Sequence, residues 1–290
     1  MTSEPIASHD LIAALQKAAN ILKIARTNRT AITDFWRKDD DENIVTGTDI
    51  DVQVAITNHL LFHNFRGLII GEENVMVATN NTCLEIFPEN IAADEFVAII
   101  DPIDGTKNWT EGSIYAITLA LQHGNTIKFA AVHFPTCNTT YHSINSKIMA
   151  INGGTYVPVF KPFDRCYISI CYGVGKKLSD HERTRFLYIL CKLNQGRDVP
   201  VRYSCASYSF LQVFNGAMDA YISMKERWTN IAPLYHFAEI LGYYISIDIN
   251  TVPKNEDFTL ALATPQFAKN HLNEGSELAV FMGITKFYDK

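Results

Sequence analysis

The sequence lacks the features that mark several classes of protein. Its six cysteines are irregularly spaced and include no C-x-x-C pair, which disfavours a disulfide framework and a zinc site. Acidic residues outnumber basic ones, 31 to 25, and no basic run occurs, which argues against a nucleic-acid polymer as a partner. No apolar run approaches the roughly 20 residues of a membrane helix, and no basic segment followed by an apolar one opens the chain. These absences predict a cytoplasmic protein that binds neither nucleic acid nor membrane.

What remains is the composition of an ordinary folded protein, with 47% hydrophobic and 19% charged residues over 290 positions. The stretch densest in glycine and proline, INGGTYVPVFKP at 151–162, predicts a boundary. We therefore expect an N-terminal α+β half over residues 1–155, which would bind the metal. A C-terminal α/β half over residues 156–290 would contribute substrate-binding loops.

Hydrophobic periodicity indicates both helices and strands. Residues 9–26 carry apolar side chains at helical spacing. The segments GLIIGEEN and EFVAIID are typical of short buried strands, and the His-Gly-Asn sequence at 123–125 predicts a hairpin turn. In the second half, strand and helix patterns alternate, which favours a layered α/β fold.

Three segments of the first half end in acidic residues: TGTDID, IIGEEN and AIIDPIDGT, which contribute Asp49, Asp51, Glu72, Glu73, Asp101 and Asp104. Sites in layered α/β folds form where strands end. If these ends meet, two carboxylates at about 4 Å repel by about 4 kcal/mol at an effective dielectric constant of about 20. A cation would relieve that repulsion, and oxygen ligands without cysteine favour Mg²⁺. Taken singly, Asp51 and Glu73 are expected to be solvated loop residues.

The stretch AIIDPIDGTKNW, residues 98–109, adds the parts of a phosphate site. The proline after Asp101 holds that residue in an extended conformation and ends the strand. Ile103 can offer its carbonyl oxygen, and Gly105 lets a ligand approach the backbone closely. A helix that begins at Thr106 would direct free N–H groups toward an anion. Together these features predict metal-assisted hydrolysis of a phosphate ester.

The motifs of the chain resemble those of one known family. VTGTD at 45–49, GEE at 71–73 and DPIDGT at 101–106 occur in this order, followed by RYSCA at 202–206 and GAMDAY at 216–221. In these motifs the chain resembles the inositol monophosphatase-like Mg²⁺-dependent phosphatases of the fructose-1,6-bisphosphatase/inositol monophosphatase superfamily. The resemblance implies a layered α-β-α-β-α sandwich, a small phosphorylated substrate, two or three Mg²⁺ ions and a homodimer.

The resemblance also implies roles for individual residues. The implied metal ligands are Glu72, Asp101, Asp104 and the carbonyl oxygen of Ile103. Thr106 and Asp49 would orient and deprotonate the attacking water, so the implied catalytic residues are Asp49, Glu72 and Thr106. The implied substrate contacts are Gly105, Thr106, Ser204, Cys205, Ala206 and Thr229.

The chain departs from the family pattern at one metal ligand. The family has W-D-x-A where this chain reads WTNIA from Trp228, so Thr229 replaces an aspartate that binds metal and touches the substrate. A hydroxyl is a poorer ligand than a carboxylate for a hard dication. Two interpretations stay open: an enzyme with fewer or weaker metals, helped by Asn230 or Glu226, or a protein that keeps the fold for binding or regulation. We expect Pro233 to lie in the first turn of its helix, where proline is tolerated.

The predicted reaction is Mg²⁺-dependent hydrolysis of a small polyol or sugar phosphate similar to inositol 1-phosphate. Histidinol phosphate or a nucleotide 3′-phosphate would require the same chemistry. A catalytically impaired binding or regulatory protein is the alternative of another class. His59 and His63 have a spacing that can bind zinc, but no H-E-x-x-H glutamate lies between them, which favours a structural pair.

Overall fold

The computed structural model describes residues 6–28, 35–38, 43–73, 75–76, 82–83, 94–144, 147–150, 155–158, 167–172, 179–195, 199–201, 205–247, 249 and 256–282. The elements of the first half are α1 (Ser8–Asn28), β1 (Phe35–Lys38), β2 (Asn43–Thr46), α2 (Gly47–Phe62), β3 (Leu68–Gly71), β4 (Val75–Met76), β5 (Thr82–Cys83), β6 (Phe96–Asp104), α3 (Thr106–Glu111), β7 (Ala116–His123), β8 (Thr126–Phe134), β9 (Thr139–Ile144) and β10 (Lys147–Ala150). The elements of the second half are β11 (Tyr167–Tyr172), α4 (Asp180–Gln195), β12 (Val199–Val201), α5 (Ala206–Phe214), β13 (Ala220–Glu226), α6 (Trp228–Leu241), β14 (Tyr244–Ile245), β15 (Phe258–Ala263), α7 (Pro265–His271) and α8 (Glu277–Met282).

A six-stranded sheet forms the centre of the first half, with strand order β10-β9-β8-β7-β6-β3. Its neighbours are antiparallel except β3, which lies at the edge and pairs in parallel with β6. Successive side chains of a strand point to opposite faces. On β6, Val97 and Ile99 therefore enter one hydrophobic core, while Ala98 and Ile100 enter another. Burial on both faces explains why β6 is a nearly continuous apolar run.

A five-stranded sheet forms the centre of the second half, with strand order β12-β11-β13-β15-β14. β11 pairs in parallel with β12 and β13, whereas β15 is antiparallel to both β13 and β14. A register shift interrupts the β13–β15 pairing between Ser223 and Glu226. Lys225, inside this shift, has a positive φ of 64°, and the pairing resumes between Glu226 and Phe258, so β13 contains a bulge of one extra residue.

The helices form three layers around the two sheets. The outer face of the first sheet packs on α1 and α2, through residues such as Leu15 and Ile56. Helices α5 and α6 lie between the sheets, where Phe210 and Ile231 share one core with side chains of both sheets. The outer face of the second sheet packs on α4, α7 and α8, with Phe267 in its core. These layers confirm the predicted α-β-α-β-α sandwich.

Local sequence signals explain several element boundaries. The helix predicted over 9–26 is α1, and the predicted hairpin turn joins β7 to β8 at Gly124, whose φ is 54°. α2 begins with a capping box, in which Thr46 and Asp49 each bond the backbone N–H of the other. Within the described segments, no helix is both long and apolar enough to cross a membrane.

Candidate metal and phosphate site

A bulge at the end of β6 brings two aspartates to the same region. Asp101 pairs with Thr118 and Asp104 with Ala116, so β6 contains one residue more than β7 between these pairs. In a regular strand, residues three apart point to opposite faces. The extra residue lets the two carboxylates approach each other, and the charge of Asp104 contributes to a raised pKa of Asp101.

Asp101 is the most crowded of the acids. Its side chain is 1% exposed, and its Oδ1 accepts a hydrogen bond from the Ile103 backbone N–H at 3.1 Å. Burial raises the pKa of Asp101 well above the usual value, and the charges of Glu72 and Asp104 raise it further. A hydrogen bond between the Glu72 and Asp101 side chains also favours the protonated form.

Glu72 reaches Asp101 because β3 ends beside β6. Gly71 pairs with Ile100, and the Glu72 backbone N–H donates to the Ile100 carbonyl at 3.0 Å. The next residue, Glu73, is 6% exposed. The prediction that Glu73 is a solvated residue is therefore wrong, because Glu73 lies in a buried turn after β3. Asp51, the other acid in that class, is exposed on α2 as expected.

Asp49 is buried in the first turn of α2 and faces Thr106. The Thr106 hydroxyl lies 3.2 Å from Asp49 Oδ1 and 3.1 Å from the Ile103 carbonyl oxygen, and it can donate to either. The Thr46 backbone N–H donates to Asp49 Oδ2 at 2.8 Å. Burial raises the pKa of Asp49 to about 7, against the lowering effect of the hydrogen bonds from Thr46. This carboxyl can therefore exchange a proton near neutral pH.

Asp104 connects the first half of the chain to helix α5. Its Oδ1 accepts from the Ala206 N–H at 3.0 Å, and its Oδ2 accepts from the Ser207 N–H at 2.6 Å. The Cys205 thiol donates to the same Oδ2 at 3.4 Å. A carboxylate at a helix N-terminus satisfies unpaired N–H groups and complements the helix dipole. Burial nevertheless raises the pKa of Asp104 despite these bonds.

Gly105 and the short helix α3 complete this region. Gly105 is the N-cap of α3 and has a φ of 91°, a left-handed conformation that favours glycine. Its carbonyl accepts from the Trp109 N–H at 2.9 Å. Thr106 is the first residue of α3, so the predicted helix start is observed. The backbone of Gly105 and Thr106 thus follows directly on the acidic end of β6.

The donor set has the chemistry of a site for a hard dication. Four acidic side chains from three segments and the Ile103 carbonyl supply oxygen atoms only, the ligands that Mg²⁺ prefers. Burial is the largest effect on the pKa values of Asp49 and Asp101, and the charges of neighbouring acids raise both values further. A bound cation would relieve the repulsion between the acids. In this arrangement, however, no three Asp, Glu, His or Cys side chains of the described residues meet as a ready metal-binding group, and Asp104 directs both oxygens to α5.

The structure places Thr229 in the first turn of α6, where it is 5% exposed. Its hydroxyl donates to Asn230 Oδ1 at 3.1 Å. Pro233 is the sixth residue of α6, so the expectation of a first-turn position is wrong. Proline has no N–H, and the Thr229 carbonyl therefore lacks the backbone donor that a residue at position 233 would otherwise supply.

The other predicted positions divide into two groups. Cys205 and Ala206 meet Asp104 and hence the acidic cluster, whereas Ser204 lies outside the described residues. Sequence reasoning missed Ser207, which contacts Asp104 through its backbone. It also missed Gln53, a buried residue of α2 that bonds the backbone of Glu73. The start of α5 was a usable signal for Ser207, but a side chain that bonds a distant backbone leaves no local pattern.

Comparison with known proteins agrees with this fold. Among solved structures, the suppressor protein SuhB of Bartonella henselae superposes with a TM-score of 0.70 at 15% identity, covering 88% of this chain and 93% of that one. Thermotoga maritima IMPase superposes with a TM-score of 0.68 at 18% identity, covering 89% and 92% of the two chains. These likenesses define the class of fold.

The sequence profile of the inositol monophosphatase family matches residues 3–233, and the chain belongs to that family. A putative Nus factor SuhB of Neisseria meningitidis is 30% identical over 154 residues, which span 52% of this chain and 58% of that protein. The chain thus matches less than two thirds of the length of this curated relative. Family membership supports a phosphatase activity.

Proposed function

We propose that this protein is a Mg²⁺-dependent phosphomonoesterase that hydrolyses a small polyol or sugar phosphate similar to inositol 1-phosphate. The observation that carries the proposal is that Asp49, Glu72 and Asp104 all lie close enough to Asp101 to raise its pKa, while the Thr106 hydroxyl lies 3.2 Å from Asp49 Oδ1. The charges that act most strongly on the buried Asp101 are those of other acids, Glu72 and Asp104.

In this proposal Glu72, Asp101, Asp104 and the Ile103 carbonyl hold the metal. Mg²⁺, when bound, supplies positive charge that stabilises the negative charge of the phosphoryl group. The backbone N–H groups of Gly105 and Thr106 bind phosphate oxygens. The substrate body lies along Ser204, Cys205 and Ala206, next to Thr229.

Thr106 and Asp49 orient and deprotonate the attacking water. The Thr106 oxygen accepts a hydrogen bond from the water and orients it, while its own proton points to Asp49 Oδ1. Asp49 takes up the proton that the water releases, because its Oδ1 lies within hydrogen-bond reach of the Thr106 hydroxyl. Glu72 and Asp101 repel each other when both are charged, and a cation bound between them would relieve that repulsion beside the water.

Release of inorganic phosphate from a panel of esters tests this function. The panel contains inositol 1-phosphate, a sugar phosphate, histidinol phosphate and a nucleotide 3′-phosphate, each with Mg²⁺ and with a chelator. We expect Mg²⁺-dependent release that is largest for a polyol or sugar phosphate, and lost in Asp101→Asn. Folded protein that releases phosphate from none of them would refute the enzymatic function.

A binding or regulatory role is the second candidate, and Thr229 is the observation that favours it. The position at which the resemblance implies a metal-binding aspartate holds a neutral hydroxyl that bonds Asn230. A relative is called a putative Nus factor, which also fits a role outside catalysis. Titration calorimetry with Mg²⁺ separates the two candidates, since a binding-only protein should show at most one weak site.

The remaining expectations are also proposals. We propose a homodimer in the cytoplasm, built from an N-terminal half that binds metal (1–155) and a C-terminal half that contributes substrate loops (156–290). Sedimentation analysis at micromolar concentration tests the dimer, and a monomer at all concentrations would contradict it.

A further inference from the structure

Gln53 makes an unusual two-point contact with the loop that carries Glu72. Its side chain is fully buried on α2, one turn after Asp49. The Glu73 backbone N–H donates to Gln53 Oε1 at 2.9 Å, and Gln53 Nε2 donates to the Glu73 carbonyl oxygen. The amide side chain thus bonds both backbone groups of one residue, as a neighbouring strand would.

The contact between Gln53 and Glu73 lies at the edge of the six-stranded sheet, directly after β3. β3 is the edge strand of the six-stranded sheet, so among the described strands only β6 pairs with it. The Glu72 N–H bonds Ile100 on the β6 side, and Gln53 holds the following residue from the α2 side. Glu72 therefore lies between two fixed points, and its carboxyl meets Asp101.

Gly71 shows how closely Gln53 approaches the loop. A Cβ added at Gly71 would overlap the side-chain amide of Gln53. The φ of Gly71 is not positive, so its backbone conformation alone does not require glycine. The space that Gln53 occupies is what excludes a larger residue there.

We infer that Gln53 is a positioning residue that couples helix α2 to the Glu72 loop and thereby fixes Glu72 for Mg²⁺ binding. The same helix carries Asp49, so one rigid element sets the positions of both acids. This inference rests on the proposed function of the site. Residues that orient metal ligands without touching the metal typically change metal affinity about 10- to 100-fold when they are replaced.

The test measures Mg²⁺ binding by calorimetry on the full chain. Gln53→Met keeps the side-chain length and removes both hydrogen bonds, and we expect its Mg²⁺ dissociation constant to rise about 10- to 100-fold. At saturating Mg²⁺, KM for the substrate should stay within about twofold, because Gln53 contacts the loop backbone and not the phosphate site. Hydrogen exchange at the Glu73 amide should also become faster.

Ser143→Ala is the matched control. The Ser143 hydroxyl accepts from the Ala130 N–H at 2.9 Å in the buried β8–β9 ladder, away from the acids. Its loss should lower stability without changing the Mg²⁺ dissociation constant. An unchanged constant in Gln53→Met, or an equal change in Ser143→Ala, would overturn the inference.

Gly71→Ala gives a second test that leaves Gln53 in place and serves if Gln53→Met fails to fold. We expect Gly71→Ala to weaken Mg²⁺ binding about 10-fold or more, and to have little further effect in a Gln53→Ala background, where the overlap is gone. Additive effects of the two substitutions would contradict the inference. Calorimetry measures Mg²⁺ binding without turnover. Wild-type protein that binds Mg²⁺ but hydrolyses no ester would therefore contradict the proposed function and leave the inference about Gln53 standing.

Discussion

Asp49 offers a quantitative test of the electrostatics of the site. In metal-free protein its pKa lies at about 7, raised from 3.8 mainly by burial. Up to about pH 7 the folded state keeps this proton, whereas the unfolded chain releases it near pH 3.8. Between these values unfolding releases a proton, so each increase in pH lowers the stability of the folded state. A shift of about 3 units at about 1.4 kcal/mol per unit corresponds to about 4 kcal/mol.

The perturbation is Asp49→Asn, which removes the titration and keeps the shape of the side chain. Titrating groups far from the site contribute equally to both proteins, so the difference between them reports the titration of Asp49 together with its effect on Glu72 and Asp101. We expect the unfolding free energy of the wild type, relative to the variant, to fall by up to about 4 kcal/mol between pH 4 and pH 8. Urea unfolding with a chelator present, at intervals of half a pH unit, measures this difference.

Asp51→Asn provides the control, because Asp51 lies on the same helix but is exposed. It changes the net charge equally, and its side chain stays hydrated in both states. The difference in unfolding free energy between the wild type and Asp49→Asn should fall with pH. If it does not vary with pH, or rises, the folded state does not destabilise the charged form of Asp49. The account of the site as a cluster of repelling buried acids would then be wrong.

Three further substitutions test other parts of the structure. Thr229→Asp restores a carboxylate at the start of α6, and calorimetry should show Mg²⁺ binding about tenfold or more tighter; unchanged affinity would mean that position 229 does not face the metal. Gly105→Ala places a side chain at a φ of 91°, which should lower the unfolding free energy in urea by about 1–2 kcal/mol and reduce phosphate release. Gly47→Ala is the control, because the added Cβ meets open space and should leave the stability unchanged. Burial lowers the pKa of His133 from 6.5 to about 4, so the unfolded chain binds a proton at a higher pH than the folded state, and the unfolding free energy falls by up to about 3 kcal/mol as the pH drops through that range. His133→Gln should therefore move the midpoint of acid unfolding to lower pH. A midpoint equal to that of the wild type would contradict this.

The sequence predicts the parts of the fold that depend on local patterns. Apolar periodicity identifies α1, and the His-Gly-Asn turn identifies the β7–β8 hairpin, because a few neighbouring residues determine both. Two of the acidic ends, 71–73 and 101–106, meet because parallel β3 and β6 end at the same side of their sheet, whereas Asp49 comes from the first turn of α2. Motif order then led to the family, and the family led to the five layers.

The features that escaped prediction depend on residues far apart in the chain. Asp104 bonds N–H groups 102 and 103 positions later, and Gln53 bonds a residue 20 positions later. No local pattern records such contacts. The tendency of acidic residues to face solvent predicts an exposed Glu73, but Gln53 bonds its backbone and the residue is buried. The usual place of proline in a helix is the first turn, but α6 begins five residues before Pro233, at the buried Trp228.

The contact between Asp104 and α5 has a consequence for synthesis on the ribosome. At about 5–20 residues per second, the 102 residues that separate Asp104 from Ala206 take about 5–20 s to translate. During that interval the acids of the first half exist without the helix that receives one of them. If the proposed site binds Mg²⁺, free Mg²⁺ would offset the repulsion between these acids before the chain can bind a substrate. A fragment that stops before α5 should accordingly depend on Mg²⁺ more strongly for its compactness than the full chain does.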